Sequence, residues 1–108
     1  MRRLALSVVL FAAACTSSTS TGITAADLEC PADSTLTYAN FGSAFLTDNC
    51  LSCHTTKQTP ALTTQVQVQA NQAAIIRAAV TSNRMPDGGS ISDEERALLG
   101  EWLTCGAP

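Results

Sequence analysis

A short motif of cysteine and histidine constrains this chain more than any other feature. Cys50-Leu51-Ser52-Cys53-His54 places two thiols three residues apart and an imidazole directly after the second thiol. This spacing is typical of covalent haem attachment, because both thiols can bond vinyl carbons of one macrocycle while His54 coordinates its iron. A thioredoxin-like redox pair, half of a zinc site and an ordinary disulfide are the alternatives. The chain has one histidine and no second cysteine pair of this spacing, which favours haem c.

The N-terminal residues are typical of a secretory signal peptide. Arg2 and Arg3 precede an apolar stretch from Leu4 to Ala14, which is shorter than the roughly 20 residues needed to cross a bilayer. Cys15 follows small residues and resembles the lipidated cysteine of bacterial lipoproteins, although Ala12 stands where a leucine is usual. We therefore predict a signal peptide over residues 1–14 and lipid on Cys15. Ordinary cleavage that leaves Cys15 as a free thiol is the alternative.

Composition divides the rest of the chain into a tether and one domain. The residues after Cys15 are mostly threonine, serine and other small residues, which bury too little apolar surface to offset their ordering entropy. We predict a lipidated cysteine with a flexible tether over residues 15–26 and a single folded domain over residues 27–108. The expected location is the periplasmic side of a bacterial membrane, as a lipoprotein or as a soluble periplasmic protein.

Charge indicates which partners the protein prefers. Beyond residue 14 the chain keeps four basic side chains against nine acidic ones, a formal charge of −5, compared with −3 for the whole chain. Such a charge disfavours nucleic acid as a partner. It favours redox partner proteins with a basic docking face. We expect the protein to be a monomer that contacts the membrane through the lipid on Cys15.

The number of cysteines suggests one disulfide. If Cys50 and Cys53 bind haem and Cys15 carries lipid, Cys30 and Cys105 remain, near the two ends of the predicted domain. A disulfide between them would persist in an oxidising compartment outside the cytoplasm. Two free thiols are the alternative.

The spacing of apolar residues predicts helices. The first covers Tyr38 to Asn49, where large apolar side chains recur at helical spacing. Asn71 is predicted to cap a second helix from about Gln72 to Thr81. Between these helices, Val66-Gln67-Val68 alternates and is the one short candidate for a strand.

A third helix is predicted near the C-terminus. Ser92 and Glu95 have the spacing of a capping box, and Gly106 suits the end of the helix. The expected fold is therefore all-α. Few aromatic side chains are available to a domain of this size, so we expect haem to complete its core and the apoprotein to be poorly folded.

The segment between the second and third helices holds a second candidate ligand. Pro86 disfavours helical backbone for Met85, so the thioether is expected on an extended loop from which it can reach an iron. Filling a gap in the core is the alternative role. Met85 is the only methionine after the signal, so a six-coordinate iron takes its second ligand from Met85, from Lys57 or from outside the chain. Arg84 suits a bidentate contact with a haem propionate, or is only an exposed loop residue.

With these candidate ligands, residues 36–105 resemble a small class I cytochrome c, and more closely the exported monohaem lipoproteins of Gram-negative bacteria. The resemblance implies a cytochrome c-like domain with about three main helices wrapped round one covalent haem. It also implies that the first and last helices cross at Gly42 and Trp102. The chain departs from the family at Leu46, where the family usually has a second aromatic residue, and this departure concerns the detailed contact between the two helices. Finally, it implies a hydrogen bond between His54 and the carbonyl of Pro60, for which a simple turn is the alternative role.

The resemblance further implies an electron transfer protein, not an enzyme, with His54 and Met85 as the axial ligands of the iron. A methionine ligand raises the reduction potential of a haem and closes its sixth coordination position. One alternative is a haem peroxidase or gas sensor with an exchangeable sixth ligand. Another is a haem module that docks on a larger redox complex.

Overall fold

Helices account for the regular structure of this protein. A computed structural model describes residues 20–87 and 90–108, and within them no strand forms. The four α-helices are α1 (Ser43–Asn49), α2 (Gln65–Ala70), α3 (Gln72–Ile75) and α4 (Asp93–Thr104). Two π-helical turns extend them, Tyr38–Gly42 before α1 and Ile76–Val80 after α3. The all-α prediction is confirmed. In this described part, none of the helices has the length and apolar character needed to cross a membrane.

The first helical segment occupies the range predicted from its periodicity. Thr37 caps the turn Tyr38–Gly42: its hydroxyl accepts a hydrogen bond from the Asn40 backbone N–H at 3.1 Å. The Asn40 side-chain oxygen in return accepts from the Thr37 backbone N–H at 2.7 Å. These bonds satisfy donors that the start of a helix otherwise leaves free. The segment runs on through α1 and ends at Asn49, directly before the cysteine motif.

The second helical segment begins earlier than the sequence predicts. The predicted cap, Asn71, makes no side-chain capping bond, and its amide donates back to the Gln67 carbonyl at 2.7 Å. The cap is Thr64, whose hydroxyl accepts from the Gln67 backbone N–H at 3.2 Å. The predicted cap at Asn71 was therefore wrong, although α3 begins at Gln72 as predicted. The short strand candidate Val66-Gln67-Val68 lies inside α2, in keeping with the all-α prediction. The misleading alternation arises because glutamine separates the two valines, of which Val68 is buried and Val66 exposed.

The last helix, α4, has clear signals at both ends. The Ser92 hydroxyl accepts from the Glu95 backbone N–H at 3.1 Å, and acidic residues in the first turn complement the helix dipole. At the other end Gly106 has a φ of +96°, a conformation that glycine adopts without strain. This conformation lets the Ala107 N–H donate to the Trp102 carbonyl at 2.9 Å, the bond that closes a Schellman motif. The predicted start and end of this helix are confirmed.

The core forms where the first helical segment crosses α4. Trp102 is fully buried and packs on the rings of Tyr38 and Phe41, with centroid distances of 6.4 and 5.9 Å. A Cβ atom on Gly42 would overlap the Trp102 indole ring, so the two helices approach this closely only because residue 42 is glycine. The remaining fully buried side chains of large volume are aliphatic: Leu46, Val68, Val80, Leu99 and Leu103.

The residues before the first helix lie against this core. Ser20 forms an isolated bridge with Ser82, and the Thr21 hydroxyl donates to the Val80 carbonyl. Ile23 is partly buried against the core, as is Leu28. The tether predicted over residues 15–26 thus contacts the domain from Ser20 onward. The predicted signal peptide over residues 1–14 and the predicted lipid site at Cys15 lie outside the described residues.

Candidate haem-binding cleft

An apolar cleft opens between the end of α1, the α3 segment and α4. It contains about 950 Å³ of empty space, counting the part open to solvent. Aliphatic and aromatic side chains form its floor, among them Leu46, Leu99 and Trp102. An apolar cleft with this lining suits a large flat apolar molecule.

The cysteine motif lies at the wall of this cleft, in a turn that continues the chain from α1. The Cys50 N–H donates to the Leu46 carbonyl at 2.8 Å, and the His54 N–H donates to the Cys50 carbonyl at 2.9 Å. Cys50 lines the cleft, and its burial raises the pKa of the thiol to about 11. Cys53 is exposed and does not line the cleft. Both thiols are free, whereas Cys30 and Cys105 are joined by a disulfide.

His54 lines the cleft with one ring nitrogen already engaged. Its Nδ1 lies 2.8 Å from the carbonyl oxygen of Pro60. A carbonyl can only accept, so this contact requires the proton on Nδ1 and leaves the lone pair of Nε2 available to a metal. The backbone is fixed by a further bond, because the Leu62 N–H donates to the His54 carbonyl at 2.8 Å. The ring is therefore oriented and held in the tautomer suited to coordination.

Met85 lines the same cleft from the loop that follows the turn Ile76–Val80. Its backbone N–H donates to the Ala78 carbonyl at 2.8 Å, which attaches the loop to the end of that turn. The side chain is half-buried, as suits a thioether that closes an apolar site. Arg84 is exposed and reaches the rim of the cleft, whereas Lys57 is exposed and does not line it.

The structure thus brings together five residues that sequence reasoning selected: Cys50, His54, Pro60, Arg84 and Met85. A thiol, a pre-oriented imidazole and a thioether around one apolar cleft suit a haem. Soft sulfur and imidazole donors both coordinate haem iron, and the cleft excludes water from the macrocycle. Within the described residues, no group of three His, Cys, Asp or Glu side chains is placed to hold a metal ion directly.

Sequence reasoning missed one residue next to the cleft, Arg96. It is buried in α4, and its Nη1 donates to the carbonyls of Ala79 and Ser82. Its position three residues before Leu99 places it on the buried face of the helix, and this spacing could have revealed it.

Comparison with known proteins agrees with this chemistry. The family model described as cytochrome c oxidase, cbb3-type, subunit III, matches residues 39–103, which include the cysteine motif, Met85 and most of α4. No curated protein and no solved structure matches the chain significantly. The match confirms the prediction of a small cytochrome c with a helical fold, and the lipoprotein and Gram-negative assignments stay predictions. The chain belongs to the cytochrome c family of cbb3-type oxidase subunit III, whose domain carries a covalently bound c-type haem with its iron.

Proposed function

We propose that this protein is an electron carrier in which His54 and Met85 are the axial ligands of a single haem. The observation that carries the proposal is that both side chains line one apolar cleft, at whose wall the Cys50 thiol also lies. Bound there, the haem supplies an iron that takes up and releases one electron. Family membership supports electron transfer in general, and the cleft supports this particular pair of ligands.

The protein contributes orientation, attachment and exclusion of water. The Pro60 carbonyl accepts a hydrogen bond from Nδ1 of His54, which leaves Nε2 free to hold the iron and would strengthen the imidazole as a donor. The thiols of Cys50 and Cys53 would each add across one vinyl group, the sulfur to one carbon and the hydrogen to the other, with no net oxidation. A soft neutral thioether from Met85 favours ferrous iron and a relatively high potential. A closed apolar site also requires little rearrangement when the charge of the iron changes.

We also propose export and lipid attachment, with a signal peptide over residues 1–14 and lipid on Cys15. The Arg2-Arg3 start, the apolar stretch and the following cysteine support this. The disulfide between Cys30 and Cys105 further supports an oxidising compartment outside the cytoplasm. The periplasmic side of a bacterial membrane fits these features, with the tether confined to the few residues between Cys15 and Ser20.

The partner is proposed to be a larger redox complex with a basic docking face. The matching family is described as a subunit of an oxidase, which favours a haem module that exchanges electrons with a complex. The net acidic charge beyond residue 14 supports attraction to a basic surface.

Substitution of Met85 tests the carrier function directly. Met85→Ala should open the sixth coordination position, lower the reduction potential and let the reduced haem bind carbon monoxide, because alanine supplies no ligand. Optical titration of the purified holoprotein measures both effects. Arg84→Ala is the matched control, since this neighbouring residue lies on the same loop and should shift the potential only modestly.

The same titration distinguishes the carrier from a haem enzyme. Wild-type reduced protein that binds carbon monoxide as readily as Met85→Ala would reject methionine ligation. That result would favour a peroxidase or gas sensor with an exchangeable sixth ligand.

A further inference from the structure

Arg96 is the only buried charged side chain in the part of the chain that the structure describes. It lies on α4 with an exposed fraction of 6%, on the face that also buries Leu99 and Leu103. Burial of a guanidinium is costly unless its donors are satisfied by hydrogen bonds. The buried guanidinium of Arg96 therefore needs hydrogen-bond acceptors around it.

Two backbone carbonyls accept hydrogen bonds from Arg96. Its Nη1 donates to the Ala79 carbonyl and, at 3.2 Å, to the Ser82 carbonyl. These carbonyls lie at the end of the turn Ile76–Val80 and just beyond it. Carbonyls at the C-terminal end of a helix lack partners within the helix and carry partial negative charge, so a cation is favoured there. Arg96 thus fixes the path of the chain as it leaves the helix.

Hydrogen bonds attach the Met85 loop to the same short segment. The Met85 N–H donates to the Ala78 carbonyl at 2.8 Å. The Ser82 hydroxyl donates to that carbonyl at 3.2 Å and accepts from the Arg84 N–H, also at 3.2 Å. Residues 78, 79 and 82 therefore connect Arg96 on one side with the backbone of Met85 on the other.

We propose that Arg96 is a positioning residue that holds the Met85 loop so that the thioether stays on the iron. The proposal rests on methionine ligation as described above and adds the element that maintains it. Arg96 acts through backbone carbonyls and touches neither the haem nor the ligand. Its loss should therefore weaken the iron–sulfur bond while the haem stays covalently attached.

Two substitutions of Arg96 test this in the purified holoprotein. Arg96→Lys keeps the charge but replaces the fork of donors by a single ammonium, and Arg96→Met keeps the length but removes charge and donors. Both should weaken the ferric absorption band that reports an iron–thioether bond. Both should also speed carbon monoxide binding to the reduced haem by about tenfold, the effect of losing one charge-assisted hydrogen bond. If Arg96→Met does not accumulate as holoprotein, Arg96→Lys decides the test.

Two controls separate positioning from charge and from general stability. Arg77→Met removes a positive charge from the same turn at an exposed position and should leave the band and the binding rate unchanged. Phe41→Leu loses ring contacts with Phe45 and Trp102 at a position that does not itself line the cleft, and it should lower the melting temperature with little effect on the band.

The outcomes are distinct for the two proposals. Absence of the iron–thioether band in wild-type protein would overturn methionine ligation, and the role of Arg96 with it. A wild-type band that both Arg96 variants retain at full strength, with unchanged carbon monoxide binding, would overturn the role of Arg96 alone. The same holds if Phe41→Leu weakens the band as much as Arg96→Lys does.

Discussion

At the scale of single residues, the contact between Gly42 and Trp102 sets how closely the first and last helical segments pack. The indole ring occupies the space that a Cβ atom on residue 42 would need. The Trp102 side chain is fully buried, and its Nε1 donates to the Pro108 carbonyl at 3.3 Å. A ring held by packing and by a hydrogen bond has little freedom to move aside.

Gly42→Ala should therefore destabilise the protein although alanine is the better helix former. Overpacking of a core costs about 1–3 kcal/mol, and alanine recovers at most about 1 kcal/mol of helix propensity. Denaturant unfolding of the holoprotein, followed by tryptophan fluorescence, measures the net loss. Ala44→Ser, at an exposed position in α1, should change the free energy of unfolding by no more than about 0.5 kcal/mol. Equal stability of the two variants would contradict the packing argument.

Local spacing predicted much of the candidate site but not what supports it. Two short motifs are recognisable in the sequence, Cys50 to His54 and Met85-Pro86. The structure places His54 and Met85 at one cleft. The helical spacing of Arg96 indicates that it is buried but not what it holds, because its partners are the backbone carbonyls of Ala79 and Ser82. Any residue type supplies a carbonyl, so no sequence pattern marks such a partner.

At the scale of elements, the helix α2 shows where periodicity misleads. Three glutamines of this region lie at helical spacing and donate to carbonyls near the end of α4: Gln65 and Gln69 to Ala107, and Gln72 to Leu103. The helix is thus held by polar contacts to a distant segment as well as by the burial of Val68. The spacing of apolar residues does not predict this helix, because valine and glutamine simply alternate along it. The start of α4 at Ser92 was predicted correctly, whereas the cap at Thr64 was missed although Thr64 and Gln67 have capping-box spacing.

Thr64→Ala should weaken the start of α2. The Thr64 hydroxyl accepts from the Gln67 N–H, and loss of such a cap costs about 1 kcal/mol. Thermal or denaturant unfolding of the holoprotein measures this loss. Thr64→Ser keeps the hydroxyl and should retain most of the stability. If serine and alanine destabilise the protein equally, the hydroxyl does not act as the cap.

At the scale of the whole molecule, the two ends of the described chain are fastened together. The Cys30–Cys105 disulfide joins residues separated by 75 positions, and the Tyr38 N–H donates to the Pro108 carbonyl. The pairing suggested by counting cysteines is the one that the structure contains. The predicted domain boundary at residue 27 placed Ser20 and Thr21 in the tether, because their bonds to the segment around Ser82 leave no trace in composition.

Removal of this disulfide should cost more than loss of any single hydrogen bond. For a loop of this length, the chain-entropy model gives about 4–5 kcal/mol as an upper figure. The double variant Cys30→Ala, Cys105→Ala should therefore unfold at markedly lower denaturant concentration than the wild type. Gln69→Ala removes one non-covalent link to the same end of the chain and should cost only about 1 kcal/mol. A double variant no less stable than Gln69→Ala would contradict this prediction.

If Cys15 carries lipid as proposed, the contact between Ser20 and Ser82 would limit how far the domain can travel from the membrane. With lipid on Cys15, a tether that ended at residue 27 would reach at most about 43 Å, whereas one that ends at Ser20 reaches at most about 18 Å. The proposed tether would thus be less than half as long as composition alone suggests. It leaves the domain beside the segment that leads into the Met85 loop. A lipid-anchored carrier with so short a tether would move mainly by lateral diffusion along the bilayer, and it would meet only those partners whose docking faces lie close to the lipid surface.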